Sequence, residues 1–412
     1  MKKIISLFLV IVLALGLAAC SGSGGEANKD NENGGGKEPV TDTKTDSVHK
    51  IGVLVYRVTD DEVVSFRKYL ENYIEACFDD VQFEYSYTVS TKEEVMEFIK
   101  SACEGGAEGI MSFNSFDLKA EVELCEQYGA YYMLASGTVS EEAFAQVEDN
   151  PYFLGQIGPG KEIEYQAGAD MAQYFADKQY GDSYFIFSGG SFVGNEMHRL
   201  RTVGMLDTLQ ERYGVTFDRS SEELASAEEA VSVEAGDLKV TICPGYITRE
   251  EYAKAAREEY AKGEYQVIMS SQIIGDLSDL AKTSGAKLGV VDCYSDTNLL
   301  LFTSGTLNYV TGKYSSIVGP SFVAMRNAIL GYADDFREDG KAFKLTQGFW
   351  TSTSQEDYAE KYMYSSSIEF NAYNYEDLYS VCKDRNGDAS FEDLKALVNA
   401  CDFESAQARR AK

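Results

Sequence analysis

Three groups of residues in this chain have types and spacings that chemistry uses. In "FLGQIGPGKE", Gly155, Gly160 and Lys161 fill the glycine and lysine positions of G-x-x-x-x-G-K-[ST]. That pattern cradles phosphates in backbone N–H groups and sets a hydroxyl on magnesium. Here the hydroxyl position is Glu162, whose carboxylate repels phosphate oxygens, so the stretch is read as a turn into a helix. In "DRNGDASFEDLK", Asp384, Asn386 and Asp388 stand at calcium-loop positions one, three and five. Ala389 replaces the glycine at the sixth, and Lys395 the glutamate at the twelfth. The segment is read as a turn followed by a helix that Ser390 caps with Asp393. The third group is a scattered polar set: Tyr56, Arg57, Asp60, Asp61, Asn114, Asp117, Phe192, Asn195, Arg201, Gln272, Asp292 and Lys313. Carboxylates accept from hydroxyls, a guanidinium donates in a fixed fork, and rings cover apolar faces. This is the chemistry of holding a very polar small molecule rather than transforming it. His49 and His198 are far apart, and neither H-E-x-x-H nor C-x-x-C occurs, so zinc chemistry and a Ser-His-Asp triad lack support. Neither a cofactor nor catalysis is expected.

The third group is defined by the elements that must carry it. "KIGVLVY" is a short apolar run of strand type, and "SFRKYLENYIEACF" has apolar residues at helical spacing. "VQFEYSYTV" then precedes "TKEEVMEFIKSACEGG", which opens on the capping box Thr91 to Glu94. "EGIMSF" and "AYYMLA" continue the alternation. After "PYFLGQI" it restarts with "KEIEYQAGADMAQYFADK", "SYFIFS", "NEMHRLRTVGMLDTLQERYG" and "LKVTICPG", and it ends with "YQVIMSS" and "KLGVVD". Strands alternating with helices of this length predict an α/β fold of two doubly wound parallel-sheet lobes. Lobe 1 is expected over 49–155 and 315–345, lobe 2 over 156–314 and 346–353, with a three-segment hinge between them. A helical C-terminal extension follows over 354–412, and its tyrosine-rich stretch is expected to pack on a lobe.

In open α/β sheets ligands lie beyond the carboxyl ends of the strands, and between two such lobes those ends share a cleft. The third group is therefore the residues that follow the strands. Tyr56, Arg57, Asp60, Asp61, Asn114, Asp117 and Ser136 come from the first lobe. Ser191, Phe192, Asn195, Arg201, Ser271, Gln272, Asp292 and Lys313 come from the second. Asp60 and Asp61 also suit a solvated loop that caps a helix starting near Ser65.

The chain opens with Lys2 and Lys3, an apolar run from Ile4 to Leu13 and Leu17-Ala18-Ala19-Cys20. This is the layout of a secretory signal over 1–19, and its end resembles a bacterial lipobox with Cys20 as the lipidated residue. Residues 20–48 are polar and glycine-rich and read as a flexible tether. The expected location is the extracytoplasmic face of the cell membrane. A net charge of −30 repels nucleic acid and anionic headgroups, so neither is an expected partner. The chain has eight cysteines, of which Cys77, Cys103 and Cys125 lie on or beside helical apolar stripes and read as buried thiols. Cys382 and Cys401 are candidates for a disulfide.

With these residues in view, the chain resembles the type I periplasmic-type solute-binding proteins, most closely the glucose/galactose- and ribose-binding branch. "KIGVLVYRVTDDEVVSFRKYLEN" is similar to that family's opening strand, acidic loop and helix. "PYFLGQIGPGKEIEYQAGADMAQYF" is similar to its first crossover, "NEMHRLRTVGM" to its R-x-x-G helix, and "LGVVDCYSD" to the strand whose aspartate faces the cleft. The likeness covers roughly residues 49 to 353. It implies a monomeric, non-enzymatic receptor that closes on a small solute, such as a sugar, and serves an ABC importer or a membrane sensor. Position by position it makes Tyr56 and Asp61 first-loop residues, Arg201 the sugar-binding arginine and Asp292 the hinge aspartate. Val63 replaces the family's first-loop aromatic, and Asn195 and Met197 its polar pair before the arginine.

Overall fold

The computed structural model describes residues 48–189, 196–246, 249–275, 277–366 and 370–411. Cys20 and the apolar N-terminal run lie outside them. Among the described residues no helix is long and apolar enough to cross a membrane.

The strands are β1 (His49–Leu54), β2 (Val81–Tyr85), β3 (Ala107–Ser112), β4 (Tyr131–Ala135), β5 (Phe153–Gly158), β6 (Ser183–Ser188), β7 (Val231–Ala235), β8 (Leu238–Pro244), β9 (Val267–Ser270), β10 (Lys287–Cys293), β11 (Leu307–Lys313), β12 (Phe343–Thr346) and β13 (Trp350–Ser352). They form two sheets, in the orders β12-β5-β4-β3-β1-β2 and β13-β11-β10-β9-β6-β8-β7. The first is parallel throughout. The second is parallel except at its edges, where β7 runs against β8 and β13 against β11. Central strands such as β5 are buried along their whole length, because helices cover both faces. β2, at an edge, alternates buried and exposed residues.

Sheet membership shows where the chain changes lobes. β5 pairs with β4 and β12 over its whole length, so the chain leaves the first sheet at Pro159 and Gly160 and enters the helix Lys161–Lys178. β11 ends the second sheet's parallel run, after which Ser315–Val318 and Gly319–Asn327 return to the first lobe. The last two strands are divided between the sheets: β12 belongs to the first and β13 to the second.

The C-terminal extension consists of the helices Gln355–Ser366, Tyr375–Val381, Phe391–Asn399 and Phe403–Arg410. It packs behind the hinge on elements of both lobes. Tyr358 stacks on Tyr294 and on Phe302, each at 4.8 Å between ring centroids. Trp350 stacks on Tyr314 at 3.8 Å and meets the edge of Phe403 at 5.1 Å. On the first lobe, Tyr69 donates to the Tyr373 carbonyl at 2.7 Å, and Arg326 pairs with Asp80 and Asp384 at 2.6 Å each. Asp384, first residue of the calcium-like loop, is therefore ion-paired, and Ser390 and Asp393 form a capping box. Cys382 and Cys401, the candidates for a disulfide, are free thiols. The Cys401 sulfur accepts from the Gly348 N–H at 3.1 Å, while Cys382 is fully buried at the end of the helix Tyr375–Val381. Cys103 and Cys125 are buried thiols, and Cys77 is half-buried.

Candidate functional site

A cavity of about 590 Å³ lies between the lobes at the carboxyl ends of both sheets. Its size is ordinary for a small-molecule site, and its place is the one the topology dictates.

The first loop builds one wall. Asp60 is the N-cap of the helix Asp61–Tyr69, accepting from the Glu62 N–H at 3.1 Å. The helix thus starts four residues before Ser65, and the cap and the cavity wall are the same residue. Arg57 does not line the cavity; its guanidinium holds Asp60 from behind at 2.8 Å. Asp61 points the other way, into a second cavity. Tyr56 lines the site, and burial raises its phenol well above the usual range. Asn114 and Asp117 stand at the wall after β3. Asp117 is already engaged, capping the helix Leu118–Tyr128 at the Ala120 N–H and pairing with Lys92.

The opposite wall is held by close helix packing. Gly204 lies so near the helix Lys161–Lys178 that a Cβ there would sit 2.2 Å from the Tyr165 carbonyl oxygen. This approach lets Arg201 reach Glu164, Nε to Oε2 at 2.5 Å, with both side chains buried. A second guanidinium nitrogen donates to the Ser271 carbonyl at 2.9 Å. Arg201 is therefore an internally neutralised donor rather than a free cation.

His198, one turn away, lies 2.9 Å through Nδ1 from the same Ser271 carbonyl. A carbonyl only accepts, so the proton sits on Nδ1 and Nε2 is a bare acceptor. Burial, helped by the Arg201 charge, lowers its pKa to about 3 and keeps the ring neutral. Gln272 donates to the Gly245 carbonyl at 2.8 Å, leaving its Oε1 buried without a partner. His198 Nε2 and Ser136 Oγ are likewise buried and unpaired.

Asp292, at the end of β10, accepts from the Asn298 amide at 2.8 Å and makes no ion pair among the described residues. Burial drives its carboxyl pKa well above the ordinary range, and Asp60, Asp61 and Glu62 add to the push. Lys313, at the end of β11, spans the lobes: its ammonium donates to Glu62 at 3.0 Å and to the Ser136 carbonyl at 2.9 Å. Burial still raises the Glu62 pKa, against the pull of Lys313.

The structure thus brings Tyr56, Asp60, Asn114, Asp117, Arg201, Gln272, Asp292 and Lys313 to one cavity. It sets Arg57 behind it and Asp61 on its far side, while Ser191, Phe192 and Asn195 lie outside the described residues. Glu62, Glu164, His198 and Tyr246 line the cavity without having been singled out from sequence. Glu62 carries a readable signal, two residues past a capping aspartate. Glu164 carries none, because its partner is 37 residues away on another helix.

No protein-family model and no curated protein matches the chain. Solved structures do. A periplasmic sugar-binding protein from Pseudomonas fluorescens aligns at a TM-score of 0.61 and 14% identity, over 87% of this chain and 99% of its own. An ABC transporter solute-binding protein from Bacillus halodurans with bound myo-inositol aligns at 0.53 and 15%, over 78% and 99%. One from Actinobacillus succinogenes with bound D-allose aligns at 0.56 and 11%, over 76% and 99%. The chain has the type I periplasmic binding protein fold.

Proposed function

We propose that this protein is a lipid-anchored extracytoplasmic receptor that closes its two lobes on a sugar or a similar polyhydroxylated solute and delivers it to an ABC importer. The observation that carries the reading is the unmet hydrogen-bonding capacity of the cleft. Among the described residues His198 Nε2 and Gln272 Oε1 are buried acceptors without a donor, and the Asp292 side chain accepts from Asn298 alone. A ligand rich in hydroxyl groups supplies those donors. An anion meets Asp60, Glu62 and Asp292 instead and leaves the buried acceptors unpaired. Arg201 and Lys313, tied to Glu164 and Glu62, fix the walls and donate to a ligand without attracting anions. Structural neighbours of the same fold hold myo-inositol and D-allose, both rings of hydroxyls.

A non-catalytic role fits the same groups. His198 on the wall is held neutral on a backbone carbonyl, and the Ser136 hydroxyl has no hydrogen-bond partner among the described residues. Cys20 is the proposed anchor, to be checked by Cys20→Ser, which should move the protein from the membrane to the soluble fraction.

The test is a thermal-shift and calorimetric screen of hexoses, pentoses, inositols and polyols, with amino acids and nucleotides as contrasts. A bound solute at 100 times its Kd stabilises the folded state by about 2.7 kcal/mol. Binding confined to the polyhydroxylated compounds and lost in Asp292→Ala supports the reading. Binding only of amino acids or of anions overturns it.

A further inference from the structure

Behind the cleft lies a second cavity of about 190 Å³, built from the same three segments turned the other way. In the first helix Asp60 and Glu62 face the cleft and Asp61 the second cavity. After β10, Asp292 faces the cleft and Tyr294 the second cavity; after β11, Lys313 and Ser315 divide in the same manner. The C-terminal extension supplies the remaining wall through Tyr362, Ser365 and Asn371.

The chemistry of this wall differs from that of the cleft. Tyr69, Tyr73 and Tyr294 have their hydroxyls committed to the Tyr373 carbonyl, the Tyr375 N–H and Ser352, so what they add to the cavity is ring surface. The unmet group is Asn371, which is 3% exposed and whose Oδ1 has no hydrogen-bond partner among the described residues. A buried amide oxygen asks for a donor. At the rim Lys68 is paired with Asp296 at 3.1 Å, and Asp61 makes no ion pair among the described residues. The rim therefore leans negative. The volume exceeds the roughly 150 Å³ that suffices elsewhere for a benzene ring in a cavity lined by apolar side chains.

We propose that this hinge cavity is a second ligand site, taking a single aromatic ring that bears a hydrogen-bond donor and no negative charge. The ring packs among the tyrosines, and the donor meets Asn371 Oδ1. The proposal does not depend on what the cleft binds.

The experiment titrates the protein with p-cresol and with 4-hydroxybenzoate, following binding by calorimetry and by the fluorescence of the single tryptophan, Trp350, whose neighbour Tyr294 lines the cavity. p-Cresol is expected to saturate a single site, and the carboxylate to bind at least about tenfold more weakly because of Asp61. Asn371→Ala should raise the p-cresol Kd about fivefold. Val64→Phe and Ser365→Leu, on different walls, fill the space and should abolish binding; either one suffices if it keeps the parent's melting transition. Asp292→Asn should leave p-cresol binding intact, which separates this site from the cleft. Absence of saturable binding, survival of binding in a folded filling variant, or its loss in Asp292→Asn overturns the proposal.

Discussion

The two faces of the hinge are built from adjacent residues and follow opposite rules. On the cleft face, Asp60, Glu62, His198, Gln272 and Asp292 are charged or polar, crowded, and in part unsatisfied. On the back face, Trp350, Tyr314, Tyr294, Tyr358 and Phe403 form a run of ring contacts. The front stores binding capacity at the expense of stability, since a buried polar group without a partner costs free energy. The back supplies that stability through apolar burial and committed hydrogen bonds. Changes on the back should therefore move the melting temperature, and changes on the front should move affinity.

The largest effect is expected on the back. Trp350→Ala removes a ring that is 2% exposed and stacked on Tyr314. It should destabilise the fold by about 3–5 kcal/mol in urea titration. The Kd of the proposed solute, measured where the variant is folded, should change far less. Comparable losses of both would break the division of labour.

Next come the pH effects on the front. His198 titrates at about 3 in the fold, so the folded state binds fewer protons than the unfolded chain below the ordinary imidazole range. Its contribution is present above about pH 6.5 and is lost as pH falls toward 3, with a slope of at most about 1.4 kcal/mol per pH unit. Asp292 has the opposite sign. Its raised pKa makes its contribution favourable below the ordinary carboxylate range and lost as pH rises through the folded value. Urea midpoints at successive pH values should show a flatter acid limb in His198→Asn and a steeper one in Asp292→Asn.

Asp292→Asn should also raise stability at neutral pH while weakening binding of the proposed solute by about 10–100-fold, the loss of a charge-assisted hydrogen bond. Stability and affinity falling together would place Asp292 among the structural groups instead.

How far the sequence reaches follows the same division. The α/β alternation was legible because strand runs such as "KIGVLVY" and "KLGVVD" sit between helical stripes, and the capping boxes at Thr91 and Ser390 are local signals. Asp60 and Asp292 were legible as residues that follow strands. The short edge strand β7 passed unread, since its alternation spans only Val231–Ala235 before the turn at Gly236. Arg201 was visible as a residue type, but its neutralisation by Glu164 depends on two helices meeting at Gly204. The back face was least legible. The tyrosine-rich stretch has too many rings for its period to tell which meet Tyr294 and Phe302, and its contacts reach residues 63 positions away, as from Tyr358 to Ser295.

The smallest effect tests whether the back face does more than stabilise. The Tyr69 hydroxyl, buried, donates to the Tyr373 carbonyl and ties the first lobe's opening helix to the extension. Tyr69→Phe keeps the ring and removes one neutral hydrogen bond, so it should cost about 1 kcal/mol, with the stranded Tyr373 carbonyl setting the upper end. That helix also carries Asp60 and Glu62 into the cleft. If the extension only reinforces the fold, the Kd of the proposed solute stays within about twofold of the parent, below the threshold of a lost hydrogen bond. If the strap also sets the position of the first loop, the Kd shifts by as much as the stability, although the altered hydroxyl bonds to the extension and not to the cleft wall. The second result would make the extension part of the hinge's working mechanism.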